Sequence, residues 1–241
     1  PACTTSTNTA PNWRHGCVRA ANARNADPES APGAALELPL FPLRTVLFPG
    51  MPLPLQVFEE RYKAMTRELL ASGGAFGVLL IREGREVGGG AIPFSVGTTA
   101  RIEEWKELPN GRFVLTARGE QRFRLTRLLD PRPYPYGEIE LFDDSSWEPS
   151  GELEATLGRV RAEFPEYFKL ALSLTGQWAR AMRLPRPPHR LVDFLAPWLQ
   201  ADETVRYGLL EPQPALPRVV ALEELLAGLL AQTRREAHAH R

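Results

Sequence analysis

The spacing of apolar and polar positions changes near Trp147, dividing the chain into a strand-forming first part and a helix-forming second part. Between residues 75 and 142 the apolar residues come in runs and alternations of strand length. Phe76 to Ile81 is nearly continuous, Val96 to Trp105 predicts another strand, and Phe113, Leu115 and then Phe123, Leu125 alternate with polar neighbours, as do Ile139 and Leu141. Arg82 to Arg85, Gly88 to Gly90 and Leu108-Pro109-Asn110-Gly111 supply turns, Asn-Gly being a strong hairpin signal. Beyond Trp147 the period is helical, with Leu153, Leu157, Val160 and Phe164 on one stripe. Pro165 either kinks that helix or opens the next at its first position, and a second segment is predicted from Glu166 to about Met182. Arg183 to Pro188 reads as a stiff connector. The next stripe is Leu191, Phe194, Leu195 and Leu199, with Pro197 marking a kink or an early end. Asp202 is placed as N-cap of a helix over Glu203 to Leu210, and Val219, Leu222, Leu226 and Leu229 line the last helix.

The densest run of constraint is LPLFPLRTVLFPGMPLPLQVFEERY, residues 38 to 62. Its five prolines remove ladder donors, which suits an edge rather than a central strand. Phe48-Pro49-Gly50 predicts a turn, and Leu53, Leu55 and Val57 a short half-buried strand. A helix follows, with Tyr62, Met65 and Leu69 as its stripe, Glu59 and Glu60 in its first turn and Ser72-Gly73 closing it. The residues together predict an α+β protein: a barrel or folded sheet carrying one helix, then a helical part.

The run over 38 to 62 closely resembles the opening of the Lon substrate-binding domain, which stands at the N-terminus of Lon proteases and also occurs as a free-standing bacterial protein and within cereblon. VGTTARIEEWKELPNGRFVLTARGEQRFRL, residues 96 to 125, is similar to a second signature of that family, departing slightly at Ala117-Arg118-Gly119. DFLAPWLQADETVRYGLLE, residues 193 to 211, resembles its helical D-x-L-A-x-x-L segment. The likeness covers about residues 36 to 235. It implies a PUA-like β domain over 36–147 and a helical bundle over 148–235, with tails at 1–35 and 236–241. It also implies a partner that is an unfolded or degron-like polypeptide, or a protease component.

Composition narrows the function. Apolar residues make up 43% and charged residues 24% of the 241, enough for a folded body that needs no staple. The net charge of zero gives no global case for nucleic acid or membrane. Residues 1–35 lack large aliphatics and period and are expected to be unstructured. Three arginines precede the first acid there, weakly in the manner of an organellar transit peptide, so the expected location is cytoplasmic, with organellar as the alternative. Both cysteines, Cys3 and Cys17, lie in this tail, and no run is long enough to span a membrane.

No catalytic constellation emerges. There is no G-x-x-x-x-G-K-[ST] loop to cradle phosphates, and the only lysines, Lys63, Lys106 and Lys169, occupy exposed-looking positions. His189 follows two prolines in the connector, the other histidines lie in tails, and His15-Gly16-Cys17 is at best a weak chelate or a chance pair. Glu103 and Glu104 face opposite ways on a strand, and Asp143-Asp144 falls in a loop. No cofactor, metal or catalytic residue is expected, and a hydrolase with an unrecognised site stays as a further alternative. For peptide binding the candidates are Phe41, Leu47, Phe48, Met51, Phe58 and Trp105, as a groove or, more plainly, as core. For an anion or RNA backbone they are Arg118, Arg122, Arg124 and Arg127, set against cross-strand pairing with Glu138 and Glu140 on a solvated face.

Overall fold

The computed structural model describes residues 36–130, 132–177 and 182–239. The expectations for the N-terminal tail, and for the helix close to Met182, lie partly or wholly outside those residues. In chain order come β1 (Leu36–Leu43), β2 (Pro52–Val57), α1 (Glu60–Ser72), β3 (Phe76–Glu83), β4 (Ile92–Glu107), β5 (Phe113–Leu128) and β6 (Tyr136–Leu141). Then follow α2 (Gly151–Leu174), α3 (Pro188–Leu195), a single 3-10 turn at Ala196–Trp198, α4 (Glu203–Leu210) and α5 (Ala215–Ala239). No described helix is long and apolar enough to cross a membrane.

The six strands form one sheet in the order β2-β5-β4-β3-β1-β6, and β5 pairs with β6 as well, so all but β2 close into a ring. The length of β5 allows this: Phe113–Arg118 holds β2, while Phe123–Leu128 holds β6. β1 runs parallel to β3, and every other pairing is antiparallel. The Asn110-Gly111 hairpin joins β4 to β5, with Gly111 at φ 72. Gly97 is required where β4 crosses the ring interior, because a Cβ there would lie 2.3 Å from the Val78 carbonyl oxygen.

The prolines of the opening run divide between two situations. β1 is internal in the strand order, not the edge its prolines predict, yet it is internally staggered. Leu36–Pro39 pairs with β6 and Leu40–Leu43 with β3, so each half has one free side for its proline. β2 is the true edge. Gly119 donates to the Met51 carbonyl and accepts from the Gly50 N–H, and the antiparallel alternation then turns the backbone nitrogens of Pro52, Pro54 and Gln56 away from β5. Two of the three positions facing outward therefore have no donor.

α1 buries Tyr62, Met65 and Leu69, as its spacing predicts, and also Lys63, which pairs with Glu60 and is not on the exposed surface expected of it. Glu59 makes no cap; its carboxylate takes Arg61 and the Gly88 N–H instead. α2 is capped by the Ser150 hydroxyl and runs unbroken through Pro165. Buried Val160, Phe164, Tyr167 and Ala171 hold both sides of the proline to one core, offsetting the lost hydrogen bond. The helix stops at Leu174, short of the predicted segment, in a turn through Gly176 at φ 70. α4 matches its predicted span, but the Asp202 side chain makes no cap bond. On α5, Leu230 rather than Leu229 completes the buried stripe.

Helices and sheet share one core, in which Val46, Phe48, Val96 and Phe142 pack with Leu153, Phe164, Leu191 and Leu222. A cluster of buried charge crosses the same boundary. Arg122, fully buried on β5, binds both carboxylate oxygens of Asp144 at 2.8 and 2.5 Å and donates to the carbonyls of Leu210 and Pro212 at 2.5 and 2.8 Å. Arg218 on α5 binds Asp193 at 2.6 Å, the Leu209 carbonyl at 2.9 Å and His189 Nδ1 at 3.2 Å. His189 is thus a buried partner in α3 rather than a connector residue. Since Nδ1 receives an Arg218 N–H, the ring is neutral, and its 3.4 Å approach to Asp144 is not an ion pair. Burial holds its pKa down to about 4, against the opposing pull of Asp144.

Candidate functional site

A cleft of about 450 Å³ opens between the start of β1, the end of α1 and the segment before β6. Aliphatic groups of Leu36, Leu38, Leu69 and Leu141 form much of its wall, with Leu36 and Leu141 exposed at 44% and 41%. α1 ends one turn beyond Glu68, which lines the opening. The Ser72 hydroxyl turns back to the Glu68 carbonyl at 2.9 Å, and Gly73 takes the left-handed conformation that stops the helix, its N–H bonding the Leu69 carbonyl.

Opposite Glu68 stand Tyr134 and Tyr136, their rings stacked with centroids 5.1 Å apart. The Tyr134 hydroxyl donates to Glu68 Oε2, the Tyr136 hydroxyl reaches Oε1 at 3.5 Å, and the two hydroxyls lie 3.2 Å apart. Burial first, then the bond to Glu68, pushes the Tyr134 phenol well above its ordinary pKa, so it remains a donor. Two further carboxylates line the cleft, each with a cation beside it: Glu120 with Arg101 at 2.8 Å, and Glu37 with Arg132 at 3.7 Å. The guanidinium of Arg132 lies 4.7 Å above the Tyr136 ring. On the far wall Thr99 and Gln121 are joined through the Thr99 hydroxyl at 3.2 and 3.1 Å, and the Gln121 amide fixes the Phe142 carbonyl at 2.8 Å.

The residues proposed from sequence for peptide binding are placed elsewhere. Phe41 stacks on Tyr62 in the core at 4.1 Å, Leu47 and Phe48 are buried, and Met51 is half-buried between two clusters, so the first three offer no surface. Phe58 and Trp105 are exposed, near Phe113 at the hairpin end of the sheet. The four arginines do not form one solvated basic face. Arg122 is enclosed, Arg118 pairs with Glu103 at 2.6 Å, Arg127 pairs with Glu138, and Arg124 lies 5.2 Å over Phe142, opposite Glu140. Among the described residues no cluster of His, Cys, Asp and Glu has the form of a metal site.

Sequence reasoning did not find Glu68, Tyr134 or Tyr136. The one available signal was the aromatic repeat in Tyr134-Pro135-Tyr136, whose two rings are buried at the margin of the core while their hydroxyls reach Glu68.

The model of the ATP-dependent protease La (LON) substrate-binding domain matches residues 37–228. The chain belongs to this family. The Lon substrate-binding domain accounts for every described strand and most of the helical part. Relatives include the Lon protease of Anaeromyxobacter dehalogenans, 27% identical over 191 residues, and Lon protease 2 of Myxococcus xanthus, 26% identical over 191 residues. In both cases the match takes in 78% of this chain and 23% of the relative, so the chain spans under a quarter of their length. Among solved structures, the Lon N-terminal domain protein from Xanthomonas campestris is 30% identical, with a TM-score of 0.57 over 80% of this chain and 98% of that one. The N-terminal domain of the Mycobacterium avium complex Lon protease, 18% identical with a TM-score of 0.54, shares the fold. The mixed α/β fold of this chain, with its six-stranded sheet, therefore matches that of solved Lon N-terminal domains.

Proposed function

We propose that the cleft beside Glu68 binds a segment of polypeptide, and that the protein is a non-catalytic recognition module linked to proteolysis, acting as an adaptor or with a protease component. Membership of the Lon substrate-binding family supports a substrate-binding role related to proteolysis, and the matched region of the relatives is the substrate-binding domain rather than a catalytic one. The observation that carries the choice of site is the cleft's lining: large aliphatic side chains left part-exposed around a few fixed polar groups, the usual make-up of a ligand pocket. β-strand addition at β2 is disfavoured by its missing donors.

The test replaces Leu36 and Leu141 together by Asn and titrates fluorescein-labelled aliphatic peptides. Burying the exposed part of each leucine contributes roughly 1 kcal/mol, so the double variant is expected to bind about 10- to 30-fold more weakly. Affinity retained within about 2-fold moves the site elsewhere.

A further inference from the structure

We propose that the cleft selects polypeptide segments carrying a lysine or arginine among aliphatic residues, with the cation seated on Glu68. This rests on the polypeptide-binding reading of the same cleft and adds the chemistry of the segment.

Of the three carboxylates in the wall, two already have a cation beside them. Glu68 has none: among the described residues its carboxylate meets the hydroxyls of Tyr134 and Tyr136, and no Lys, Arg or His nitrogen lies in ion-pair range. Tyrosine hydroxyls orient a carboxylate without neutralising it. They occupy two of about four lone-pair directions, which leaves room for an ammonium or guanidinium. One carboxylate with no ion-pair partner among the described residues is thus held in a fixed direction at the edge of an apolar depression. A neutral donor would bond to it while leaving the charge unbalanced, and an acidic side chain would be repelled.

The surroundings match the rest of such a side chain. Lysine and arginine lay an apolar stem along aliphatic surface and present the charge at its tip, and here Leu69 sits one residue beyond Glu68 with Leu36 and Leu141 on the rim. A small amine would leave these leucines uncovered, so the occupant is a chain segment with aliphatic neighbours. The ring faces take no part as a cage: Tyr136 has Tyr134 on one side and Arg132 over it, and Tyr134 is buried.

The experiment uses three labelled peptides of one aliphatic sequence with Lys, Gln or Glu at the centre, titrated at low and high salt against the full chain. The expected order is Lys, Gln, Glu, with about 5- to 10-fold between the first two at low salt. Glu68→Gln should bring Lys and Gln within 2-fold. Glu68→Lys should invert the order in favour of the Glu peptide, which a variant that merely unfolded would not do. A wild-type protein that binds all three alike, but loses them in the Leu36→Asn/Leu141→Asn variant, overturns the charge selection and leaves the binding site standing. Lys preference surviving in Glu68→Gln also overturns it. Failure of every peptide to bind removes the polypeptide reading itself.

Discussion

Replacing Arg122 by Met removes the charge and keeps most of the stem. Four hydrogen bonds at 2.8 Å or less disappear: two to the Asp144 carboxylate, one each to the carbonyls of Leu210 and Pro212. Asp144 is left without its main partner in a site where its side chain is 19% exposed, and two carbonyls at the turn between α4 and α5 lose their donor. Breaking one side of a buried pair costs about 3–5 kcal/mol, and orphaned carbonyls cost roughly 1–3 kcal/mol each. Because Asp144 can rehydrate in part, its share falls to roughly 1–3 kcal/mol, and with about 1 kcal/mol for each carbonyl about 3–5 kcal/mol is expected in all. For a body of about 200 residues each kcal/mol lowers Tm by roughly 2–4 °C, so the melt should fall by about 6–20 °C. Calorimetry at neutral pH measures this directly. Adding Asp144→Asn supplies the decisive control: removing the second charge should return about 1–3 kcal/mol of the sum of the single losses. A Tm within 3 °C of wild type, or strictly additive losses, would show that the buried pair contributes little and that the joint is held by its apolar core alone.

Two further outcomes follow from features of the fold. Pro52→Val with Pro54→Val restores two outward N–H donors on the β2 edge; light scattering should then rise with concentration while the wild type stays constant, and equal scattering would remove the blocking role of these prolines. His189 is neutral when folded, with its pKa held near 4 from an ordinary 6.5, and it faces Asp144, Arg218, Arg122 and Asp143. The unfolded chain takes up a proton between those values that the folded chain refuses, so the neutral ring's contribution is complete above about 6.5 and is withdrawn as pH falls toward 4. His189→Gln should flatten the fall of Tm across that window, and an unchanged slope would place the acid sensitivity in other groups.

Local features were legible in the sequence because their cause is local. The stripe of α1, the Asn110-Gly111 hairpin, the alternation of β5 and the span of α4 each depend on residues a few positions apart. Arg122 was not legible. Its parity with Arg124 places both on one face, as the 4.9 and 5.2 Å approaches to Phe142 show, but only the tertiary arrangement covers one and leaves the other open. The turn between α4 and α5, about 90 residues later, closes over Arg122 and supplies its carbonyl acceptors. His189 and Asp193 are spaced i, i+4 beside two prolines, a pattern that does not announce burial. The cleft was hidden for a related reason: Glu68 lies on the outward side of an amphipathic helix, and its partners come from a separate segment 66 and 68 residues away.

On β5 the residues of the cleft and of the helix joint are consecutive. Glu120 and Gln121 line one, and Arg122 secures the other. The Gln121 side chain also holds the Phe142 carbonyl, while the Arg122 carbonyl receives the Phe142 N–H. That wall of the receptacle is consequently clamped from behind by the same strand register that seats the helices. A polypeptide segment binding there, as proposed, would meet a surface already set in shape, and the conformational entropy lost would fall on the segment rather than on this wall of the cleft.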